Sequence, residues 1–438
     1  MIELSSINKT LTVNTGVSKM IFVIAVALVI FYIYNRYAKD PKPIFGIYSV
    51  PGKWYYLKYV VFSSIYYFRK YVNKYKAAGP DGRAGQGVKA IANPEDMEKV
   101  QPFSDHPKAF DAVFFISATE GGDNKGIYVA VGSERRPMGI CNGLLYIGLP
   151  DKGLLCSKKI PDTVLFGAED DTFGAEGIRI TMVEPMKKWN IAYKGEMWFQ
   201  NDPKKTVEVD LTGEWTATYK YFDYDTDLYP PAVIRSIARE NWSREYFERL
   251  KQAHQSHYEQ FGTMKCKFSI GDEKYHVMMP SFRDHSFGKT RDWSLMHRYA
   301  FNHIFVENGL NLSLGVVCQP ATATSFELGM VGLPNGEIHP IEWVDFQLWQ
   351  HGEGGTTPKD YAFRCKAGDT EYTIQVIVEY ESVHYVSQDW EAKMKERFCK
   401  YVVNGVPGRG LSEFHYRHHG GRPVNATDPE WFKNMNSR

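Results

Sequence analysis

The sequence predicts a fold that is mainly β-sheet, preceded by one membrane-spanning helix. Aromatic residues make up 15% of the chain and are accompanied by 37 glycines, a mixture of strand formers and turn formers. After residue 80, short apolar segments recur between Gly, Asp, Asn and Pro residues, as they do in antiparallel sheets. With 438 residues, the chain exceeds what one hydrophobic core usually spans, so we expect two lobes.

The predicted anchor is the uncharged run MIFVIAVALVIFYIY, from Met20 to Tyr34, between Lys19 and Arg36. Its apolar residues and terminal tyrosines are typical of a transmembrane helix with an interfacial aromatic belt. A signal peptide is the alternative, although bulky tyrosines stand where a cleavage site needs small residues. Basic residues are denser after the run, which predicts a single-pass protein whose large domain is cytosolic, with the endoplasmic reticulum as the default membrane. Residues 1–40 form this tail and anchor.

A second segment, from Trp54 to Lys76, mixes aromatic and β-branched residues with Lys and Arg. This composition is typical of an interfacial helix on an anionic membrane surface. A basic amphipathic helix that packs on the globular domain has the same composition, so both interpretations remain open. The turn formers GPDGRAGQG at 79–87 end this basic segment, 41–79, and predict a domain boundary near residue 80.

Strands are predicted on both sides of one helical interval. In the first lobe they cover residues 112–117, 127–131, 178–184, 189–198, 206–211 and 215–221. Pro230 and Pro231 precede a stretch rich in helix formers at 232–261, which we expect to join the lobes. The second lobe resumes with strands at 304–307, 313–318, 325–331, 338–348 and 372–380, the last with clear alternation. The predicted lobes are therefore 80–262 and 263–438.

Composition argues against several classes of partner. A formal net charge of +1 lacks the basic excess of nucleic-acid-binding proteins, so no nucleic-acid partner is predicted. The six cysteines show neither a C-x-x-C pair nor the Cys/His spacing of a zinc site. His415, His418 and His419 lack a carboxylate at fixed spacing, so no metal is predicted. The Gly-rich stretch 405–410 is neither a P-loop nor a dinucleotide fingerprint, and no cofactor is predicted.

One polar constellation lies at 281–293, SFRDHSFGKTRDW. Its candidate site residues are Arg283, Asp284, His285, Ser286, Arg291, Asp292 and Trp293. The two arginines would hold the two aspartates in place while His285 titrates near neutrality, which suits acid–base chemistry. The same pattern also fits a buried ion-pair network that only fixes a strand register.

A second constellation follows a Gly-rich turn near the C-terminus. Glu413, His415 and Arg417 share one face of a predicted strand. If that face lines an apolar cavity, desolvation raises the pKa of Glu413 and makes it a candidate proton donor. A surface strand with solvated charges is the alternative.

At these residues the sequence resembles the hydroxyneurosporene synthase, or carotenoid 1,2-hydratase, superfamily, and within it a branch of eukaryotic and bacterial proteins. The resemblance is carried by HYEQ at 257–260, RDHSFG at 283–288, RDW at 291–293 and GRGLSE at 408–413. Their order and spacing agree over roughly the last two-fifths of the chain. Phe287 departs from the Trp common in that branch.

The resemblance implies two lipocalin-like antiparallel β-barrels in tandem. It also implies action on isoprenoid or polyketide-like hydrophobic molecules, by hydration, cyclisation or rearrangement without a dissociable cofactor. A membrane anchor suits such a substrate.

Three functions are therefore weighed. The first is an enzyme for a hydrophobic isoprenoid, sterol or lipid-like molecule, in which Asp284, His285 or Glu413 transfers a proton and aromatic rings shield the cation. The second is a non-enzymatic lipid-binding or transfer protein whose polar cluster only closes a barrel. The third is a scaffold protein whose barrels are filled by their own side chains.

Overall fold

Two large antiparallel sheets dominate the structure, a computed structural model that describes residues 3–73, 92–119 and 125–423. The mainly β prediction is confirmed. The predicted turn cluster at 79–87, and with it the boundary near residue 80, lies outside the described residues. Residues 74–76, the end of the predicted segment from Trp54 to Lys76, also lie outside the described residues.

Five α-helices accompany the sheets. They are α1 (Glu3–Tyr37), α2 (Tyr55–Asn73), α3 (Pro94–Met97), α4 (Pro230–Arg239) and α5 (Arg244–Gln252). The single helix predicted over 232–261 is wrong. Two short helices replace it, because Ser243 caps a new helix by accepting a hydrogen bond from the Tyr246 amide at 3.1 Å, and the chain becomes a strand from Ser256.

The first sheet contains eleven strands. They are β1 (Phe110–Ala118), β2 (Tyr128–Arg136), β3 (Ile140–Leu149), β4 (Gly153–Ser157), β5 (Val164–Phe166), β6 (Ile178–Glu184), β7 (Lys188–Phe199), β8 (Asp202–Ala217), β9 (Phe222–Asp223), β10 (Ser256–Ile270) and β11 (Glu273–Gly288). The pairings run β11-β1-β2-β3-β4-β7-β8-β10, and β10 pairs again with β11. The strand pairings therefore form a complete ring.

The second sheet is a closed barrel of eight strands in chain order. They are β12 (Arg298–Val306), β13 (Asn311–Gln319), β14 (Ala323–Gly332), β15 (Ile338–Val344), β16 (Asp360–Ala367), β17 (Thr370–Val386), β18 (Ala392–Val403) and β19 (Val406–Arg417). The sheets thus divide between Gly288 and Arg298, not at 262/263 as predicted. The reason is that β11 pairs along its length with β10 and β1 of the first sheet.

Three apolar clusters follow from this arrangement. Trp189 and Trp215 lie in the cluster inside the first sheet, and Phe414 lies in the cluster inside the second. A third cluster lies where the outer faces of the two sheets meet, and it includes Phe282 and Leu411. Successive residues of a strand point to opposite faces. Each strand at this contact therefore directs one set of side chains into the interior of its own sheet and the alternate set into the interface between the sheets.

The predicted anchor lies in α1. Among the described residues, Ser18–Tyr37 is the one helix long and apolar enough to cross a membrane. By length and composition it fits a single-pass anchor or a signal sequence. Its C-terminal end contacts the next segment, because the rings of Phe31 and Tyr32 lie 6.1 and 6.2 Å from that of Trp54.

The segment after the anchor is part of the globular fold. Tyr48 has no exposed surface, belongs to the core of the second barrel, and donates a hydrogen bond to Glu353 Oε2 at 2.5 Å. Phe62 and Tyr66 of α2 are buried in the apolar cluster between the sheets. Of the two interpretations of α2, packing on the globular domain is therefore confirmed for one of its faces.

Candidate functional site

Strand β11 divides the first polar constellation between two environments. Arg283 and His285 have no exposed surface and point into the first sheet. Asp284 and Ser286 alternate with them, so they point outward, toward the second barrel. Neighbours in the sequence are therefore separated by the sheet itself, and the constellation is two sites rather than one.

The inward site centres on Glu98, which follows α3 and has no exposed surface. Glu98 Oε1 accepts hydrogen bonds from Arg283 at 2.8 Å and from the Tyr258 hydroxyl at 2.6 Å, while Oε2 accepts one from the Trp189 indole at 3.1 Å. Burial acts to raise the pKa of Glu98, but Arg283, His285 and Tyr258 together lower it to about 2. The carboxylate is therefore buried, ionised and fully paired.

His285 lies between two partners in this network. Its Nε2 is 2.7 Å from Asp111 Oδ1, and its Nδ1 is 2.7 Å from the Tyr258 hydroxyl. Since Tyr258 donates its own proton to Glu98, both ring nitrogens of His285 act as donors and the ring is an imidazolium. Burial acts to lower its pKa, but Asp111 and Glu98 raise it overall. Both ring nitrogens of His285 are thus occupied in the interior of the first sheet, and its role as a proton donor stays a prediction.

The outward site begins at Asp284, whose cross-strand partners are Glu259 on β10 and Phe114 on β1. Asp284 keeps some exposed surface, yet burial, helped by the charges of Glu259 and Glu413, raises its pKa to about 6. Asp284 therefore lies in the contact between the two sheets, where burial desolvates its carboxyl.

Glu259 stands beside Asp284, and its pKa is shifted in the opposite direction. It accepts hydrogen bonds from Tyr224 at 2.6 Å and from Ser313 of the second barrel at 2.8 Å. Burial acts to raise its pKa, but His257, the charge of His303 and the hydrogen bond from Tyr224 lower it overall. Asp284 and Glu259 are therefore adjacent carboxyls whose pKa values are pushed apart, which is the arrangement that general acid–base chemistry uses.

A second carboxyl pair faces the same contact from the barrel. Glu413 on β19 pairs across the sheet with Glu396 on β18 and with Phe301 on β12. Burial and the charge of Glu413 raise the pKa of Glu396 well above its ordinary value, and burial raises that of Glu413 as well. Protonated Glu396 therefore donates a hydrogen bond to Glu413. We call this cluster of Asp284, Glu259, Glu413 and Glu396, buried between the two sheets, the acidic recess.

Arg291 carries positive charge toward the acidic recess. Its guanidinium donates to Glu134 at 2.8 Å and to Ser286 at 2.7 Å, and it lowers the pKa of both Asp284 and Glu413 against the effect of burial. Beyond it, Lys108 bridges Asp292 and Glu391 at 2.8 and 3.0 Å. Ion pairs thus connect the two sheets at the rim of the recess.

The remaining predicted residues have separate roles. Buried His415 stacks on the rings of Trp293 and Tyr299, whose centroids are 5.2 and 4.9 Å away. Neither ring nitrogen of His415 has a hydrogen-bond partner in the described part of the chain, and burial lowers its pKa to about 3. Arg417 is exposed at the end of β19 and does not reach the acidic recess.

Several residues of these sites were not predicted. Glu98 and Asp111 precede or begin the first strand, where nothing in the local pattern marks them. Glu259 belongs to the HYEQ motif, so alternation along β10 was its available signal. Glu396 was missed because its significance depends on its pairing with Glu413 on the neighbouring strand.

Over the described residues, no group of three or more His, Cys, Asp and Glu side chains is placed to hold a metal ion.

Replacing Asp284 by Asn should stabilise the protein near neutral pH. Its folded-state pKa of about 6 lies above the ordinary value of 3.8, so the folded protein retains a proton that the unfolded chain releases. Stability is therefore lost as the pH rises from about 4 to about 6. We expect Asp284→Asn to raise the free energy of unfolding by about 1–3 kcal/mol above pH 7, and by almost nothing near pH 4. Denaturant titration at both pH values measures this.

The matched control is Asp210→Asn, because Asp210 is exposed on β8. It should leave stability unchanged at both pH values. Equal stability of Asp284→Asn and the wild type at neutral pH would contradict the desolvation of Asp284.

Fold and site together define a class of protein: a chain of two packed antiparallel sheets, with an acidic recess between their outer faces. The chain belongs to a family of unknown function, DUF8627, whose family model matches residues 22–416. No curated protein matches it. The resemblance to the hydroxyneurosporene synthase superfamily therefore stays a prediction.

Three solved structures are similar over most of their length. A candidate ATTH from Nitrosomonas europaea is 9% identical, with 72% of this chain and 98% of that chain covered and a TM-score of 0.49. Kievitone hydratase from Nectria haematococca is 13% identical, with 73% and 92% covered and a TM-score of 0.45. CghA with Sch210972 is 9% identical, with 79% and 95% covered and a TM-score of 0.42. At these identities and TM-scores the likenesses do not carry a function to this chain.

Proposed function

We propose that the protein is an enzyme that acts on a hydrophobic small molecule, of isoprenoid, sterol or lipid-like type, by acid–base chemistry in the acidic recess. The observation that supports this most is Asp284: a partly exposed carboxyl whose pKa burial raises to about 6, next to the ionised Glu259. Two adjacent carboxyls whose pKa values are shifted in opposite directions are arranged for proton transfer rather than for stability.

The lining of the recess supports an apolar substrate. Phe114 and Phe301 are partly exposed and are the cross-strand partners of Asp284 and Glu413, and both border the apolar cluster between the sheets. An aromatic face stabilises a neighbouring cation. Each acid thus has beside it a ring that suits a positively charged intermediate on a hydrocarbon.

The proposed step is protonation of a carbon–carbon double bond. The Asp284 O–H bond breaks, its proton forms a new C–H bond, and the π electrons leave a cation on the other carbon. Capture by water, with loss of a proton to a carboxylate, gives hydration. Attack by a second double bond followed by proton loss gives cyclisation, and proton loss alone gives isomerisation. Glu396 and Glu413 are a second pair able to take or return a proton.

The experiment uses the full chain, because Tyr48 packs in the core of the second barrel and Phe62 and Tyr66 pack in the cluster between the sheets. The protein is reconstituted in phosphatidylcholine nanodiscs, and solvent extracts are analysed by mass spectrometry for a bound molecule other than the supplied lipid. The control is Val317→Trp, which enlarges a partly buried side chain packed beside Phe301. The bound molecule should be present with the wild type and depleted in the control.

The molecule so identified is then incubated with fresh wild-type protein. Conversion to a product of altered mass or retention time supports the enzyme. Specific binding with no conversion over the physiological pH range would overturn the enzyme proposal in favour of a lipid-binding or transfer protein. A recess that is reproducibly empty would overturn both and favour the scaffold.

A further inference from the structure

Helix α2 has one buried and one exposed half. Phe62, Tyr66 and Asn73 are buried against the body of the protein, where the ring of Phe62 lies 6.2 Å from that of Trp242. At about 100° per residue, the exposed residues fall on the opposite half of the helix. Its contact with the body therefore leaves a continuous outer face along the whole helix.

The outer face of α2 is almost entirely apolar. Its most exposed members are Tyr56, Val60, Tyr67, Phe68 and Tyr71, which are 50–76% exposed. Between Tyr55 and Asn73, Ser64 is the sole polar residue on that face and none of its residues is charged. A soluble surface rarely presents a contiguous apolar patch of this kind.

The rest of the protein does not share this property. Over the described chain beyond α2, the exposed large hydrophobic side chains are four scattered ones: Met138, Val183, Met278 and Leu295. Isolated residues of this sort are ordinary on soluble proteins. The apolar surface is thus confined to α1, α2 and the segment that joins them, where Phe45 is also 67% exposed.

The position of α2 directly after α1 indicates what covers the outer face of α2. The rings of Phe31 and Tyr32, at the end of the apolar helix, contact Trp54 immediately before α2. Lys70 lies at one border of the outer face, as basic residues do on helices that lie in a membrane interface. Lys58, at the other border, donates a hydrogen bond to the Glu240 carbonyl oxygen of the body at 2.6 Å. A helix that begins where an apolar span ends, with an uncharged outer half and basic borders, matches a bilayer surface.

We propose that the outer face of α2 is embedded in the interfacial layer of the bilayer that α1 enters, so that the globular body is held against the membrane rather than tethered to it. The occupant is phospholipid. The surface is separate from the acidic recess, and the proposal does not depend on the protein being an enzyme.

Depth-dependent fluorescence quenching tests this with the full chain. All six native cysteines are buried, so one introduced cysteine can be labelled selectively. Phe68→Cys and Met278→Cys form a matched pair, because both positions are 68% exposed. Each labelled protein is reconstituted in vesicles of phosphatidylcholine and phosphatidylserine that carry a quencher on the acyl chain, and is titrated separately with aqueous iodide.

We expect lipid-borne quenching to be several-fold stronger at position 68 than at position 278, and iodide quenching to be several-fold weaker. A label at 68 that iodide reaches as readily as the one at 278 would overturn the proposal, as would protein that does not bind the vesicles. Shielding from both quenchers would also overturn it and would indicate a protein partner. If Phe68→Cys fails to fold, Tyr71→Cys decides the same comparison.

Discussion

Replacing Arg283 by Met should cost about 3–5 kcal/mol of the free energy of unfolding, because it leaves the Glu98 carboxylate buried without its closest cation. The guanidinium donates to Glu98 at 2.8 Å and to Gln260 at 2.7 Å, and neither charged side chain has exposed surface. The guanidinium also lies 5.0 Å from the centre of the Trp215 ring, so a cation–π contact is lost as well.

The contribution of Glu98 to the free energy of unfolding should depend on pH with opposite signs in Arg283→Met and in the wild type. In the wild type a pKa of about 2 for Glu98, below its ordinary 4.5, contributes stability that is present above pH 4.5 and lost as the pH falls toward about 2. Without Arg283, burial raises the pKa of Glu98. Relative to the wild type, Arg283→Met should then lose less stability in mild acid than at neutral pH.

Chemical denaturation of the full chain in mild detergent measures both effects. The double variant Arg283→Met/Glu98→Gln should recover part of the lost free energy of unfolding, since it also removes the buried carboxylate that Arg283→Met leaves without its cation. Arg364→Met is the control, because its ion pair with Asp345 is exposed and should be worth no more than about 1 kcal/mol. Equal losses for Arg283→Met and Arg364→Met would show that the Glu98 network does not support the first sheet.

Asp284→Asn and Glu413→Gln should each lower kcat for the extracted substrate by about 10²–10⁴-fold, while leaving its Kd nearly unchanged. Each change keeps the shape of the side chain and removes a transferable proton. Because the folded-state pKa of Asp284 is about 6, and the donor must be protonated, wild-type kcat should decline as the pH rises through that value. Product formation by mass spectrometry, measured against pH, follows this.

Asp210→Asn again provides the matched control and should retain wild-type kcat. An effect of Asp284→Asn on Kd as large as that on kcat would point to a binding role instead of proton transfer. Since Asp284→Asn is also expected to stabilise the fold, loss of turnover in a more stable protein would separate catalysis from misfolding.

The local sequence pattern determined a large part of this protein. Its strand and turn residues predicted a mainly β fold, and its apolar run predicted α1. Alternation placed Glu413 and His415 on one face of β19. Asp284 was recognised as a candidate from the density of charges around it. These properties depend on neighbours along the chain, which the sequence displays directly.

Only the tertiary structure showed which residues the two faces of these strands contact. Alternation states that Asp284 and His285 point in opposite directions, but not that one side is a closed interior with Glu98 and the other an interface with a second barrel. The pairing of Glu396 with Glu413, and the return of β10 and β11 to the first sheet, likewise depend on contacts between distant strands. The ionisation of a carboxyl is set by its surroundings in space, so the acidic recess becomes visible only when both sheets are in place.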